Sequence, residues 1–160
     1  MVSSLKAVAP STASAGLKLM SYIDIYRAEP VVRIGMIKAG VPAAQAKRIF
    51  HDLAISQGAG LSALKLSAAT VNRKASQDAT LSADESERVI GVAKLVGQLQ
   101  AMVEESGDPQ GFDAPAWLSR WLREPLPALG GQAPMTLLDT MEGQSLVSRT
   151  LSQIQSGAYA

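Results

Sequence analysis

The most constraining feature of the sequence is a long amphipathic segment that follows Leu81. Ser82 and Glu85 have the spacing of a capping box, in which each side chain accepts a hydrogen bond from the other residue's backbone N–H, and Asp84 adds charge that the helix dipole favours. An apolar face then repeats at helical spacing until Ser106-Gly107-Asp108-Pro109. A helix of about 25 residues is about 37 Å long. We therefore predict that residues 81–106 form a helix connecting two halves of the chain.

Helical signals continue through most of the remaining chain. Pro30 and Pro42 lie at positions that suit helix starts, and Gly40 and Gly143 are predicted to end or separate helices. No strand pattern and no internal repeat is evident, so the predicted fold class is all-α. Ser56 and Ser67 are predicted N-caps of two short helices that end near Leu64 and Ala75. The other predicted helices outside the connecting segment are 31–39, 42–53, 114–123, 134–141 and 143–156.

Composition excludes several classes of protein. Hydrophobic residues make up 47% of the chain and charged residues 18%, which is too apolar for a disordered chain. No apolar run approaches the roughly 20 residues that span a bilayer. The chain has no cysteine, so it has no disulfide framework and no thiolate metal site, and a reducing cytoplasm is the predicted location. Residues 1–20 lack an export signal and are predicted to form a loose arm.

The net charge of +1 conceals an uneven distribution. Residues 1–80 contain ten Lys or Arg and four acids, whereas residues 81–160 contain five Lys or Arg and ten acids. This division is compatible with ordinary scatter between two solvated surfaces. It is also typical of a basic half that faces nucleic acid and an acidic half that faces a protein.

The sequence contains few residues that would indicate an enzyme active site. His51 is the only histidine, and without a cysteine or an acidic cluster it forms neither a zinc site nor a nucleophile–base pair. The glycines at 58–60 and 130–131 lack the strand and the Lys-Ser/Thr of a phosphate loop, and they are read as turns. No enzymatic activity, metal or cofactor is expected.

The segment 56–75 predicts a helix-turn-helix unit. Two short helices flank a tight turn at 65–67, and the second helix has small residues at its start and polar or basic residues after them. A small helical bundle with a solvated polar helix would produce the same pattern, so both interpretations stay open. If the unit binds DNA, the candidate contact residues are Ser67, Ala68, Thr70, Asn72, Arg73 and Lys74.

The C-terminal half resembles a known family. The segment from Trp121 to Gly143 contains tryptophan-leucine, a proline pair around Ala-Leu-Gly-Gly, then proline, a leucine pair, threonine and glycine. This pattern resembles the toxin-binding domain of Xre/MbcA/ParS-type antitoxins. Glu85-Ser86-Glu87-Arg88 and Gly40-Val41-Pro42 also resemble the family, so the likeness covers about residues 31–160. Gly58 and Gly60 depart from the family pattern in the second helix of the DNA-binding unit, where they replace better helix formers.

The resemblance implies an antitoxin of a type II toxin–antitoxin pair whose cognate toxin has a RES domain. Such toxins resemble ADP-ribosyltransferases and deplete NAD, and the antitoxin neutralises the toxin and represses its own operon by binding operator DNA. A homodimer within a larger complex is expected. The implied organisation is an arm at 1–20, a DNA-binding domain at 21–80, the connecting helix at 81–106 and a toxin-binding domain at 107–160.

Candidate toxin contacts lie in the Ala-Leu-Gly-Gly loop and at the C-terminus. Tyr159 offers an amphipathic anchor and Ala160 a carboxylate, so the tail is a candidate plug for the toxin's substrate pocket. The loop residues are also explained by turn formation and core packing. The full candidate set is Leu126, Leu129, Gly130, Gly131, Ile154, Gly157, Ala158, Tyr159 and Ala160.

Two other functions remain compatible with the sequence. A stand-alone helix-turn-helix transcription regulator would use its C-terminal half only to dimerise. A structural helical adaptor would make no DNA contact.

Overall fold

The computed structural model of the protein describes residues 20–156. The predicted arm, apart from Met20, and the tail residues Gly157, Ala158, Tyr159 and Ala160 lie outside that range. Within it every regular element is helical, which confirms the all-α fold class. The elements are α1 (Tyr22–Arg27), α2 (Pro30–Ala39), α3 (Ala43–Asp52), α4 (Gln57–Ala63), α5 (Ala68–Ser76), α6 (Ala83–Ser106), α7 (Ala114–Leu122) and α8 (Met141–Ser156), with 3-10 turns at Pro127–Leu129 and Pro134–Leu137.

The long helix α6 is the spine of the molecule, as its capping box predicts. The backbone N–H of Glu85 donates to Ser82 Oγ at 3.2 Å, and the N–H of Ser82 donates to Glu85 Oε1 at 3.0 Å. The helix runs for 24 residues and ends at Gly107, whose φ of 99° is left-handed. Helices α1, α2, α7 and α8 all pack against it.

Helix α1 has no counterpart in the sequence-based prediction. It is short, and Ile25 is its one buried residue, so it carries too little apolar periodicity to be recognised. A Cβ at Gly97 of α6 would collide with the backbone carbonyl of Tyr22, so glycine there allows α1 to lie directly on the spine. The guanidinium of Arg33 donates to the carbonyls of the last turn of α1, including that of Tyr26 at 3.0 Å.

Both halves of the chain contribute to a continuous core. Ser86 of α6 is fully buried, and its Oγ accepts the backbone N–H of Val41 at 2.8 Å, which ties the segment before α3 to the spine. The largest side chains with less than 2% exposure are Leu53, Leu61, Leu64, Leu118, Leu122, Leu151, Val41, Val71, Val89, Val92, Val96 and Val147.

The start of the last helix differs from the prediction. Gly143 does not separate two helices but lies in the first turn of α8, where its N–H donates to Thr140 Oγ1 at 2.9 Å. The preceding segment forms only the 3-10 turn Pro134–Leu137 rather than a helix reaching 141. Glycine is required at 143 because a Cβ there would overlap the carbonyl oxygen of Leu137.

Candidate functional site

The helix-turn-helix unit consists of α4, a tight turn and α5. Leu66 in the turn is 6% exposed, and its N–H donates to the carbonyl of Leu61 at 2.8 Å. Val71 is fully buried and fixes α5 on the core. Ser67 caps α5 by accepting the N–H of Thr70 at 3.3 Å, so its hydroxyl is already engaged within the fold. Because Leu66 and Val71 are both buried, the opposite face of α5 is directed towards solvent.

Most of the predicted DNA contacts lie on that outward face. Ser67, Ala68, Asn72 and Arg73 are exposed, and Thr70 is half-buried. None of the described acids forms an ion pair with Arg73. The face therefore presents small residues, an amide and one free guanidinium, which is a chemistry that suits base edges and phosphates.

Lys74 has a different environment from the other five candidates. Its Nζ lies 3.1 Å from Glu85 Oε1, and the two side chains are only 23% and 17% exposed. Burial raises the pKa of the Glu85 carboxyl, but the hydrogen bonds from Ser82 and Lys74 outweigh it and leave that pKa below its ordinary value. Lys74 thus links α5 to the start of α6, and contact with a phosphate would require it to give up this pair.

The Ala-Leu-Gly-Gly loop closes on itself through backbone hydrogen bonds. The N–H of Gly131 donates to the carbonyl of Leu126 at 2.9 Å, and the N–H of Leu126 donates to the carbonyl of Gln132 at 3.1 Å. Gly130 and Gly131 have φ values of 67° and 84°, which explains the glycine pair. Both glycines are exposed, so the loop offers backbone to a partner.

Two of the predicted toxin contacts are buried. Leu126 and Leu129 are 4% and 6% exposed and belong to the core. Their side chains offer no surface to a partner in this fold, and the structure speaks against them as direct contacts because their apolar groups are already packed. Ile154 is half-buried and packs against the core from α8.

The C-terminal half is organised by two buried glutamines that the sequence analysis missed. Gln98 of α6 donates from Nε2 to Ser148 O at 3.0 Å and accepts from Ser148 Oγ at 2.7 Å. Gln144 of α8 donates to the carbonyls of Arg88 and Leu138, both at 3.0 Å. The position of Gln98 within the apolar run of α6 is the sequence feature that could have indicated a buried polar contact.

The side chain of Gln144 occupies space that is free because residue 91 is a glycine. A Cβ at Gly91 would overlap the carboxamide of Gln144, so α8 can dock at this depth only against glycine. On α7, Trp117 and Trp121 stack with their ring centroids 6.1 Å apart. Helices α7 and α8 each pack against α6, which holds the described part of the C-terminal half together.

The described residues form no metal-binding cluster: among residues 20–156 no group of three or more His, Asp or Glu side chains is placed to hold a metal ion. His51 lies on α3 with a side chain that is 88% exposed, and its Nδ1 lies 3.9 Å from Asp52 Oδ1.

Comparison with known proteins gives two matches that divide the chain as the fold does. A family model for the antitoxin Xre-like helix-turn-helix domain matches residues 32–94, and one for the antitoxin Xre/MbcA/ParS C-terminal toxin-binding domain matches residues 98–157. The chain is also 56% identical, over 99% of its own length and all of the relative's, to a protein of Sphingobium sp. named "Prs ADP-ribosylating antitoxin".

The chain belongs to the Xre/MbcA/ParS family of antitoxins. A second relative, "Antitoxin Xre" of Pseudomonas putida, is 30% identical over 88 residues, which is 55% of this antitoxin and 50% of that protein. The two domains imply a toxin as partner of the C-terminal half and DNA as ligand of the helix-turn-helix half. No helix between residues 20 and 156 combines the length and hydropathy that crossing a membrane requires.

Proposed function

We propose that this antitoxin neutralises a RES-domain toxin that consumes NAD, and that it represses its own operon. The observation that carries the proposal is the identity of 56% over the whole chain with an antitoxin whose name refers to ADP-ribosylation of Prs. ADP-ribosylation breaks the glycosidic bond of NAD, releases nicotinamide and transfers ADP-ribose to an acceptor. The activity of such a toxin can therefore be measured either as loss of NAD or as modification of a protein.

The neutralisation mechanism in this proposal is occlusion of the toxin's NAD pocket by the end of the antitoxin. Helix α8 packs on α6 and ends at Ser156, and the sequence continues with Gly157, Ala158, Tyr159 and Ala160. The amphipathic ring of Tyr159 is suited to anchor this segment in a partner's pocket. Gly130, Gly131 and Ile154 are the other candidate contacts.

Co-expression with the product of the neighbouring reading frame tests the neutralisation. A tagged antitoxin should co-purify with that product and suppress nicotinamide release from NAD. Deletion of residues 157–160 should restore nicotinamide release, while circular dichroism shows unchanged helix content. A truncated protein that still protects NAD fully would rule out the tail as plug, and failure to co-purify any toxin would leave the stand-alone regulator.

Operator binding by the outward face of α5 is the second part of the proposal. The free Arg73 and the exposed Asn72 support it, with Ser67 and Ala68 allowing close approach to the groove. Arg73→Ala should weaken binding to the upstream DNA and reduce its salt dependence, while toxin neutralisation is retained. Unchanged operator affinity and salt dependence in this variant would remove α5 as the recognition helix.

A homodimer completes the proposal, and helix α2 is the surface that supports it. Val31, Val32 and Ile34 are 73%, 46% and 49% exposed, and no residue of this helix is buried. In a two-fold dimer, the same apolar face of each copy would cover these three side chains of the other copy. A dimer also suits the paired half-sites that helix-turn-helix proteins bind. Light scattering of Ile34→Asp should report a monomer where the parent chain reports a dimer.

A further inference from the structure

The basic residues of the helix-turn-helix half are not confined to the predicted recognition helix. Between Ala43 and Ser76 the chain has five Lys or Arg and a single acid, Asp52. Lys74 is neutralised by Glu85, so the free positive charge of this half lies elsewhere. Two of the four remaining cations, Lys47 and Arg48, are adjacent on α3, which the sequence analysis assigned no role.

These two cations line an open groove of about 560 Å³ together with His51 and the first residue of α4, Gln57. Neither Lys47 nor Arg48 forms an ion pair with any acid of the described chain. Arg48 is exposed and Lys47 is half-buried, so folding within residues 20–156 leaves both charges unpaired and available to a ligand.

Asp52 is the acidic residue that lines this groove, and it accepts a hydrogen bond from a residue outside the groove. The hydroxyl of Tyr22 in α1 donates to Asp52 Oδ2 at 2.5 Å. Burial raises the pKa of Tyr22, and the bond to Asp52 raises it further, so the phenol keeps its proton and remains a donor at neutral pH. One carboxylate oxygen is thereby directed to α1, and the groove keeps a surplus of positive charge.

The position of the groove identifies its ligand. In a helix-turn-helix unit the second helix enters the major groove and the first helix crosses the sugar–phosphate backbone. Here the first helix is α4, and the groove lies where it begins. We expect cations at that position to face phosphates and not base edges, and such contacts contribute affinity without sequence information.

We propose that Lys47 and Arg48, with His51 and Gln57 beside them, form a clamp for the DNA phosphate backbone that orients α5 on the operator. This inference rests on the proposed operator binding. Two phosphate contacts correspond to about 1.8 units of the slope of log K against log salt concentration, because each contact on duplex DNA contributes about 0.9.

The test compares Lys47→Ala/Arg48→Ala with the parent antitoxin on two duplexes, the DNA upstream of its own reading frame and a scrambled duplex of equal length. The double variant should bind both duplexes more weakly by the same factor and lower the salt slope by about 1.8 on each. Arg120→Ala/Arg149→Ala, which removes two exposed arginines of the other half of the chain, is the matched control and should change neither quantity. Circular dichroism and thermal unfolding establish that all variants are folded.

The alternative results separate the clamp from the function on which it rests. If the parent antitoxin binds the upstream DNA and the double variant has the same slope, the clamp is wrong and operator binding stands. A loss on the upstream duplex alone would make these residues readers of sequence and would also overturn the clamp. If the parent antitoxin shows no salt-dependent binding to either duplex, operator binding itself fails. Loss of toxin co-purification with unchanged DNA binding would assign this face to the toxin.

Discussion

Helix α6 is joined to α5 and to α8 by different kinds of contact. Towards α5 the contact is the Lys74–Glu85 ion pair, whose side chains are 23% and 17% exposed. Towards α8 the contacts are made by Gln98 and Gln144, which are 4% and 7% exposed. Gly91 lacks the side chain that would block the docking of Gln144.

The difference teaches how one helix can serve two binding functions. An ion pair that keeps some contact with solvent contributes little and tolerates changes in nearby charge, which suits the side that faces a polyanion. Buried amides bonded to backbone carbonyls tolerate almost no displacement, because an unpaired buried group costs about 1–3 kcal/mol. The interface between α6 and α8 is therefore held in one geometry, whereas the pair between α5 and α6 can be exchanged for a contact with a phosphate.

The largest expected effect tests the close packing at the C-terminal half. Gly143→Ala should lower the free energy of unfolding by about 3 kcal/mol, since its Cβ would overlap the backbone carbonyl of Leu137. Gly58→Ala, in α4 with nothing within 4 Å of the added Cβ, should raise it by about 0.5–1 kcal/mol. Urea unfolding measures both, and equal effects would contradict the close contact at Gly143.

The second prediction concerns the buried amides. Gln144→Leu should lower the free energy of unfolding by about 2 kcal/mol, because the carbonyls of Arg88 and Leu138 lose their donor. Gln132→Leu, at an exposed position of the same half, should change it by less than about 0.5 kcal/mol. If leucine at 144 matched the parent stability, the bridge between α6 and α8 would depend on apolar packing alone.

The third prediction uses pH to examine the N-terminal end of α6. The pKa of Glu85 is lowered in the folded state, so its stabilising contribution is complete above the unfolded value of about 4.3 and is lost as pH falls through the folded pKa. Glu85→Gln keeps an oxygen that can accept the N–H of Ser82 but loses the charge that pairs with Lys74 and favours the helix start. It should cost about 0.5–1 kcal/mol at pH 7, and the difference should shrink towards pH 3. Thermal unfolding from pH 7 to pH 3 follows it.

A second variant separates the contribution of Lys74 from that of Ser82. Lys74→Met should retain part of the acid dependence, since the hydrogen bonds with Ser82 remain. A constant difference between Glu85→Gln and the parent chain over the whole range would show that the carboxylate charge contributes nothing.

The smallest effect is expected at the turn that leads into α4. Ala54 has a φ of 52°, a conformation that is unfavourable for residues with a Cβ. Ala54→Gly should therefore raise the free energy of unfolding by about 0.5 kcal/mol, after the greater chain entropy of glycine is subtracted. Ala59→Gly within α4 should instead lower it by about 1 kcal/mol. Destabilisation by glycine at both positions would indicate that the turn is unstrained.

Local signals account for what could be predicted of the fold. The capping box at 82–85 and the serine caps at 56 and 67 act within one helical turn, so the prediction of those helix starts is confirmed. Helix α1 was missed because its stability comes from docking on Gly97, a contact between residues far apart in sequence. Gly143 was misread because glycine marks a helix break or a close contact, and local sequence does not separate the two.

The candidate sites divide in the same way. The exposed face of α5 follows from the helical period once Val71 is inward, so Asn72 and Arg73 could be placed from sequence. The pairing of Lys74 could not, because Glu85 belongs to another helix. Nor could the burial of Leu126 and Leu129, since a leucine in a loop can face either the core or a partner.

The sequence by itself determined the all-α class, the long connecting helix and the resemblance to antitoxins, because caps, breakers and apolar periods act over a few residues. Only the tertiary structure decided which polar side chains are consumed within the fold and which stay free. Lys74, Gln98 and Gln144 are paired across helices, whereas Lys47 and Arg48 are not. The physical reason is that pairing depends on distances between helices, and those are set by small residues such as Gly91 and Gly97 that let backbones approach.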